Sequence, residues 1–293
     1  MPIYERIESN TRKTYLLIGI FCLLIVAIGW IIGQITGLGI FITAIALIFA
    51  IAINIFSWYK SDKIAIRLTG AKPAKREDYL YYYNTVEGLS IAAGLPMPKL
   101  YVIEDQTINA FATGRDPEHS AIAVTTGALE KLKRLELEGV LSHELSHIKN
   151  KDILIATIVI ALVGVVVFLC NITWRMLFFG GLRGRRGKGG GIILLLGLVL
   201  IVLAPLFAYI IKFAISRKRE FLADADGALL TRYPAGLADA LEKIKNENVQ
   251  LKTANSATAH LFFANPFKKG DWFSNLFSTH PPLDARVKAL REM

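Results

Sequence analysis

The chain has 293 residues, 53% of them hydrophobic, and a formal net charge of +10; its mean hydropathy is +0.43. That apolar content excludes an ordinary soluble protein and indicates a chain that lies partly in a bilayer. Much of the positive excess sits beside apolar segments, at Arg12, Lys13, Lys60, Lys63, Arg67, Lys149, Lys151, Arg217, Lys218 and Arg219. Placed there, it faces anionic lipid and holds its side of the membrane in the cytoplasm. With no nucleic-acid motif beside it, the charge implies a lipid bilayer and no nucleic acid as partner.

Residues 1–59 read as an N-terminal transmembrane hairpin. The windows 15–34 and 35–59 carry no charge, and each reaches the length of about 20 residues that crosses a hydrocarbon core of roughly 30 Å as a helix. Arg6, Arg12 and Lys13 ahead of them resemble the start of a signal peptide. The apolar run is too long for one, however, and leads through a short turn into a second run, so a retained hairpin is expected. Cys22 and Cys170 both fall inside apolar windows and are expected to be thiols of the membrane or core, neither ligands nor a disulfide.

Residues 60–152 read as the first half of a soluble α+β unit. Residues 76–93 (REDYLYYYNTVEGLSIAA) have helical apolar spacing and stop at Gly94 and Pro96, a helix exit signal. Strand-like runs follow at 100–104 (LYVIE), 108–113 (INAFAT) and 121–126 (AIAVTT), broken by turn formers; together they predict a small antiparallel sheet. A short helix over 127–133 precedes the helix bearing HELSH. Residues 153–215 form a second expected transmembrane hairpin, with charge-free windows 153–174 and 192–211 joined by the glycine-rich stretch 180–191. Residues 216–293 supply the second half of the soluble unit.

The chemistry lies in His143-Glu144-Leu145-Ser146-His147, an HExxH pattern. Residues four apart share one face of a helix, so both imidazoles can converge on a Zn²⁺, with Glu144 beside them to polarise a metal-bound water. Leu135, Leu137, Val140, Leu141, Leu145 and Ile148 form an apolar stripe expected to bury that helix. A catalytic zinc takes three protein ligands and one open position. The extended form HExxHxxGxxH is excluded, because Asn150 and Ile153 stand where Gly and His are required. The best third ligand is Glu220 in SRKREFLADADG, with Asp224 one turn on as the hydrogen-bond acceptor of a ligand imidazole. Asp152 is expected to cap or pair locally, His119 to be solvated in a turn, His260 to be packed, and Trp272, Phe273 and Phe277 to form a small satellite core.

SHELSHIKNKD, SRKREFLADADG, INAFATG and STHPPLDARV, in this order around four apolar windows, resemble the HtpX-type membrane zinc metalloproteases of prokaryotes. The resemblance runs over essentially the whole chain. It implies a zinc endopeptidase of the cell (inner) membrane, multi-pass, with its active site in the cytoplasm, which removes misfolded or damaged membrane proteins in envelope stress and quality control. It implies one Zn²⁺ per chain on His143, His147 and Glu220, and Glu144 as the base. It further implies substrate contacts along Asn109, Ala110, Phe111 and Ala112, where an exposed strand edge could hold an extended peptide; the residues alone equally allow a core strand there. His280 is assigned the oxyanion and Arg286 a carboxylate-pairing or substrate role. The expected fold is an α-helical membrane protein with four transmembrane helices and an α+β zincin-like catalytic domain, mostly helical. Its first half (60–152) carries HExxH and its second (216–293) the third ligand.

Topology follows from the metal. His143 and Glu220 lie on either side of two apolar windows, so both windows must leave and return to one side. The Lys and Arg bias puts that side in the cytoplasm, although Arg175, Arg183, Arg185, Arg186 and Lys188 make the opposite loop basic too; a re-entrant hairpin over 153–215 stays open. Two rival functions are an intramembrane zinc protease and an inactive zinc-binding membrane scaffold. Lys131, Lys133, Arg134, Glu136 and Glu138 ahead of His143 are too polar for hydrocarbon, which argues against the first. Glu144 argues against the second.

Overall fold

The computed structural model describes residues 3–36, 39–156, 158–159, 217–247, 251, 258, 261–264 and 281–293. The fourth apolar window, most of the third, His260, the aromatic residues 272, 273 and 277, and His280 lie outside the described residues. Two long helices open the chain, α1 (Ile3–Thr36) and α2 (Gly39–Leu68), packed on each other. Each holds a stretch long and apolar enough to cross a membrane, Ile7–Trp30 with mean hydropathy 2.0 and Gly39–Lys60 with 2.6. Ile40, Phe41, Ile48 and Phe56 of α2 face outward, as on a helix whose surroundings are apolar on nearly every side.

After these helices the described chain is built on a four-stranded sheet of β1 (Lys72–Pro73), β2 (Lys99–Ile103), β3 (Ala110–Gly114) and β4 (Ser120–Thr125), in the order β1-β2-β4-β3. The expected antiparallel sheet is in fact mixed: β1–β2 and β3–β4 are antiparallel, whereas β2 and β4 run parallel. The cause is the hairpin of β3 and β4 around the tight turn Pro117–His119. The chain goes out along β2, returns along β3 at the edge, and comes back along β4 in the middle.

Around the sheet lie α3 (Leu80–Ala93), α4 (Thr126–Lys131), α5 (Arg134–Lys149), α6 (Arg217–Thr231), α7 (Pro234–Asn246) and α8 (Leu283–Arg291). Helix α3 begins four residues later than its apolar spacing suggested and ends at Gly94, whose φ of 68° supplies the left-handed cap. Helix α5 is central, packed against α3, α6, α7 and β3. Leu137, Val140, Leu141, Leu145 and Ile148 are buried as expected, but Leu135, in the first turn, is 47% exposed. The start of α5 is held by Glu136, whose carboxylate accepts from the Lys133 backbone N–H at 2.6 Å and from Lys243 Nζ at 2.6 Å. Gly139 lets α7 approach closely, since a Cβ there would meet the Leu237 backbone at 2.7 Å. After Asn150 the chain turns through Lys151, in the left-handed region at φ 55°, and is helical again over 152–156.

Candidate active site

Helices α5 and α6 together place the polar groups of the site. His143 and His147 sit one turn apart on α5, Glu220 and Asp224 one turn apart on α6, each pair therefore on one face. The two Nε2 atoms are 3.1 Å apart. Glu220 Oε2 lies 3.8 Å from His143 Nε2, and its Oε1 lies 3.7 Å from His147 Nε2. Ligands about 2.0–2.2 Å from a tetrahedral zinc stand about 3.3–3.5 Å from one another, so the three side chains fit the ion with small adjustments. They form a His-His-Glu group able to hold a metal.

Each imidazole has its own carboxylate on the far nitrogen. His143 Nδ1 is 2.9 Å from Asp224 Oδ1 and His147 Nδ1 is 3.0 Å from Asp152 Oδ2, the contacts that turn Nε2 toward a metal. The left-handed turn at Lys151 swings Asp152 back onto His147. Sequence reading placed Asp224 in this role and gave Asp152 only a local cap or pair; it did not name His147 as the partner, because a carboxylate five residues past a histidine meets it only through that turn.

The electrostatics set the protonation states. Burial pushes the His143 imidazole down to about 4, against the pull of Asp224, so it is neutral near pH 7 and its Nδ1–H donates. Burial also opposes charge on His147, yet the hydrogen bond to Asp152 and the charge of Glu220 outweigh it and raise the ring to about 9. A metal held through the His147 ring would therefore displace a proton from it. Glu144, 2% exposed, is raised to about 7, first by burial and then by Glu220, while His147 and a backbone hydrogen bond from Ala112 act the other way. A carboxylate so poised can take and return a proton near neutrality.

Arg286 on α8 is fully buried. It grips Asp224 with two bonds, Nε to Oδ2 at 2.8 Å and Nη2 to Oδ1 at 2.7 Å, and donates through Nη1 to the Phe263 carbonyl at 3.2 Å. Of its two expected roles, carboxylate pairing is the one its position displays, behind His143 and away from solvent. It holds Asp224 ionised, at about 2, against the opposing effect of burial.

The pocket is lined by Ala112, His143, Glu144, His147, Arg219, Glu220 and the aromatic pair Phe262 and Phe263. The bond from Thr125 N–H to the Asn109 carbonyl fixes the register of β3 against β4, so the peptide groups of Ala110 and Ala112 point off the sheet. Near Asn109 that edge is taken by the chain itself. Ala110 O accepts from Phe263 N–H at 2.8 Å, and the Asn109 side chain brackets Ala264, donating to its carbonyl at 3.1 Å and accepting from its N–H at 3.2 Å. Phe111 is buried edge-on against Phe262. Only Ala112 of the four faces the pocket. His119 is half exposed in its turn and bonded to Asp116 at 2.7 Å.

An HExxH helix, a glutamate brought beside its two imidazoles by a later helix and a second, buried glutamate next to them, near a pair of long apolar helices, define the class of the membrane zinc metalloproteases. Residues 74–293 match the family model of peptidase family M48. The chain is 45% identical to the "Protease HtpX homolog" of Dictyoglomus thermophilum over 290 residues, covering 99% of this chain and 94% of that one. It is 45% identical to the protein of the same name from Caldanaerobacter subterraneus subsp. tengcongensis, covering 99% and 98%, and 39% identical to that of Listeria monocytogenes serotype 4b, covering 99% and 100%. The crystal structure of S. mikatae Ste24p shares the fold at a TM-score of 0.51 and 19% identity, over 98% of this chain and 66% of that longer one. The chain belongs to peptidase family M48 as an HtpX-type protease, a metalloendopeptidase whose substrates are polypeptides.

Proposed function

We propose that the chain cleaves misfolded or damaged membrane proteins at one zinc held by His143, His147 and Glu220. The observation that carries this reading is the convergence of the three ligand side chains with the Glu144 carboxylate in one pocket. Bound there, zinc supplies Lewis acidity, lowering the pKa of water and polarising the peptide carbonyl. Glu144 accepts the proton of the attacking water on its carboxylate and returns it to the departing amine nitrogen. The substrate lies extended along β3 and pairs with the outward carbonyl of Ala112, whose N–H goes to Glu144. Asn109, Ala110 and Phe111 shape that wall by holding residues 262–264 in place, and His280 donates to the oxyanion.

Purified protein should cleave an unfolded polypeptide such as casein, lose that activity to a zinc chelator and regain it when zinc is restored. Activity indifferent to the chelator would sink the zinc reading, and no cleavage at full zinc occupancy would leave the inactive zinc-binding scaffold instead.

The soluble unit is proposed to face the cytoplasm, with residues 153–215 as a second hairpin that leaves and returns to that face, giving four membrane helices in all. In a variant with Cys22 and Cys170 replaced by serine, a cysteine at Gly187 should react with a membrane-impermeant thiol reagent in intact cells, and one at Ser256 should not. Labelling at 256 alone would invert the orientation. Protection at both would make the hairpin re-entrant.

A further inference from the structure

We propose that Asn10, on the first membrane-entering helix, is a positioning residue for the metal site, fixing Asp152 so that Asp152 in turn fixes the His147 ring. The proposal rests on the reading of His147 as a zinc ligand. Asn10 lies 140 residues before Asn150 and 142 before Asp152, yet its side-chain Nδ2 donates to the Asn150 carbonyl at 2.9 Å and to Asp152 Oδ1 at 2.7 Å. It is 4% exposed. An amide nitrogen carries two hydrogens, so both are used, and both go to the turn that follows the HExxH helix.

The division of labour on Asp152 gives the contact its consequence. An ionised carboxylate only accepts. Its Oδ1 is taken by Asn10, with Arg219 Nη1 at 3.5 Å, which leaves Oδ2 for His147 Nδ1 at 3.0 Å. With Nδ1 bonded to a carboxylate, Nε2 is the nitrogen that faces the metal. Helix α1 is held in register for this contact by packing of Phe21 and Ile25 against Leu154 and Ile158, just past the turn. The chain of contacts from membrane helix to ligand is thus Asn10, Asp152, His147. Asp224 has the equivalent anchor in Arg286, a residue of the soluble unit, so the two imidazoles are supported from opposite sides, one of them from the membrane hairpin.

The alternative is that Asn10 only docks α1, and a cycle on the full-length protein in detergent separates the two. Zinc affinity is measured by chelator competition for wild type, Asn10→Ala, Asp152→Ala and the double variant. Removing the direct partner of a ligand histidine should weaken zinc about 10–100-fold, and removing its support should weaken it by a smaller factor, about three- to tenfold. The double variant should match Asp152→Ala, because Asn10 acts through that carboxylate. Leu17→Ala, two turns along α1 and 3% exposed, should lower the melting temperature while leaving zinc affinity of the folded protein unchanged. If Asn10→Ala does not fold, Asn10→Leu, which fills the space without donating, is read the same way. The proposal is overturned if the Asn10 change weakens zinc by the same factor with and without Asp152, or does not weaken it at all while His147→Ala does. If His147→Ala itself keeps wild-type affinity, the ligand assignment beneath the proposal fails instead.

Discussion

Glu144→Ala should keep its full complement of zinc and lose hydrolysis by about 10²–10⁴-fold, the range that a positioned general base contributes. The residue follows His143 directly on α5, so it reaches the pocket without competing for the ligand position, and its removal leaves the His-His-Glu group intact. Its environment suits the task. Burial and the neighbouring Glu220 raise it to about 7 in the metal-free protein, so it changes protonation where a base must. Glu144→Gln tests the charge apart from the shape, because the amide can still accept from Ala112 but cannot take a proton; it should be as inactive as the alanine variant. The measurement pairs metal content with cleavage of a fluorogenic peptide. Cleavage within a few-fold of wild type at full zinc occupancy would remove Glu144 from the mechanism.

The parts of this site that were legible in the sequence are those in which chemistry follows local spacing. His143, Glu144 and His147 are fixed by a single helical turn, and Glu220 with Asp224 repeats that spacing on α6. What was not legible depends on contacts between distant segments. Asp152 pairs with His147 through a left-handed turn at a lysine, a conformation no composition rule assigns to that residue. Asn10 looks like one polar residue near the start of an apolar helix until the fold lays that helix beside residue 152. Three of the four strands were found within one or two residues and the two-residue β1 was not; their partners were not found either, since period-two patterns report a half-buried surface and say nothing of which strand lies beside it. The parallel pairing of β2 with β4 is a property of the β3 excursion between them. The capture of the Asn109 edge by Phe263 and Ala264 joins segments more than 150 residues apart.

Glu220→Ala should lose zinc and keep its fold, whereas Asp224→Ala should lose both. The two residues are one turn apart on α6 and almost equally buried, so burial alone does not separate them; their partners do. Glu220 faces the two Nε2 atoms and lies 3.8 Å from Arg286 Nη1, while the short bonds of Arg286 go to Asp224. Taking away Glu220 removes one of three protein ligands. Zinc affinity should fall by more than the roughly 10–100-fold typical of an outer partner, while Arg286 keeps its bidentate carboxylate. It also takes a negative charge away from Glu144, which Glu220 pushes upward, so the metal-free protein loses a repulsion as well as an attraction to His147. Taking away Asp224 leaves a guanidinium with no solvent exposure and no hydrogen-bonded carboxylate, Glu220 standing 3.8 Å from Nη1. Breaking a buried pair from one side costs about 3–5 kcal/mol, a large part of the stability of a domain this size, and it frees the His143 ring as well. Thermal unfolding of the metal-free variants alongside zinc stoichiometry checks both halves. A Glu220→Ala protein that binds zinc like wild type would transfer the ligand role to another carboxylate of α6, Asp224 or Asp226. An Asp224→Ala protein as stable as wild type would mean that Arg286 finds its counter-charge in Glu220, and that the two carboxylates share the work assigned here to one.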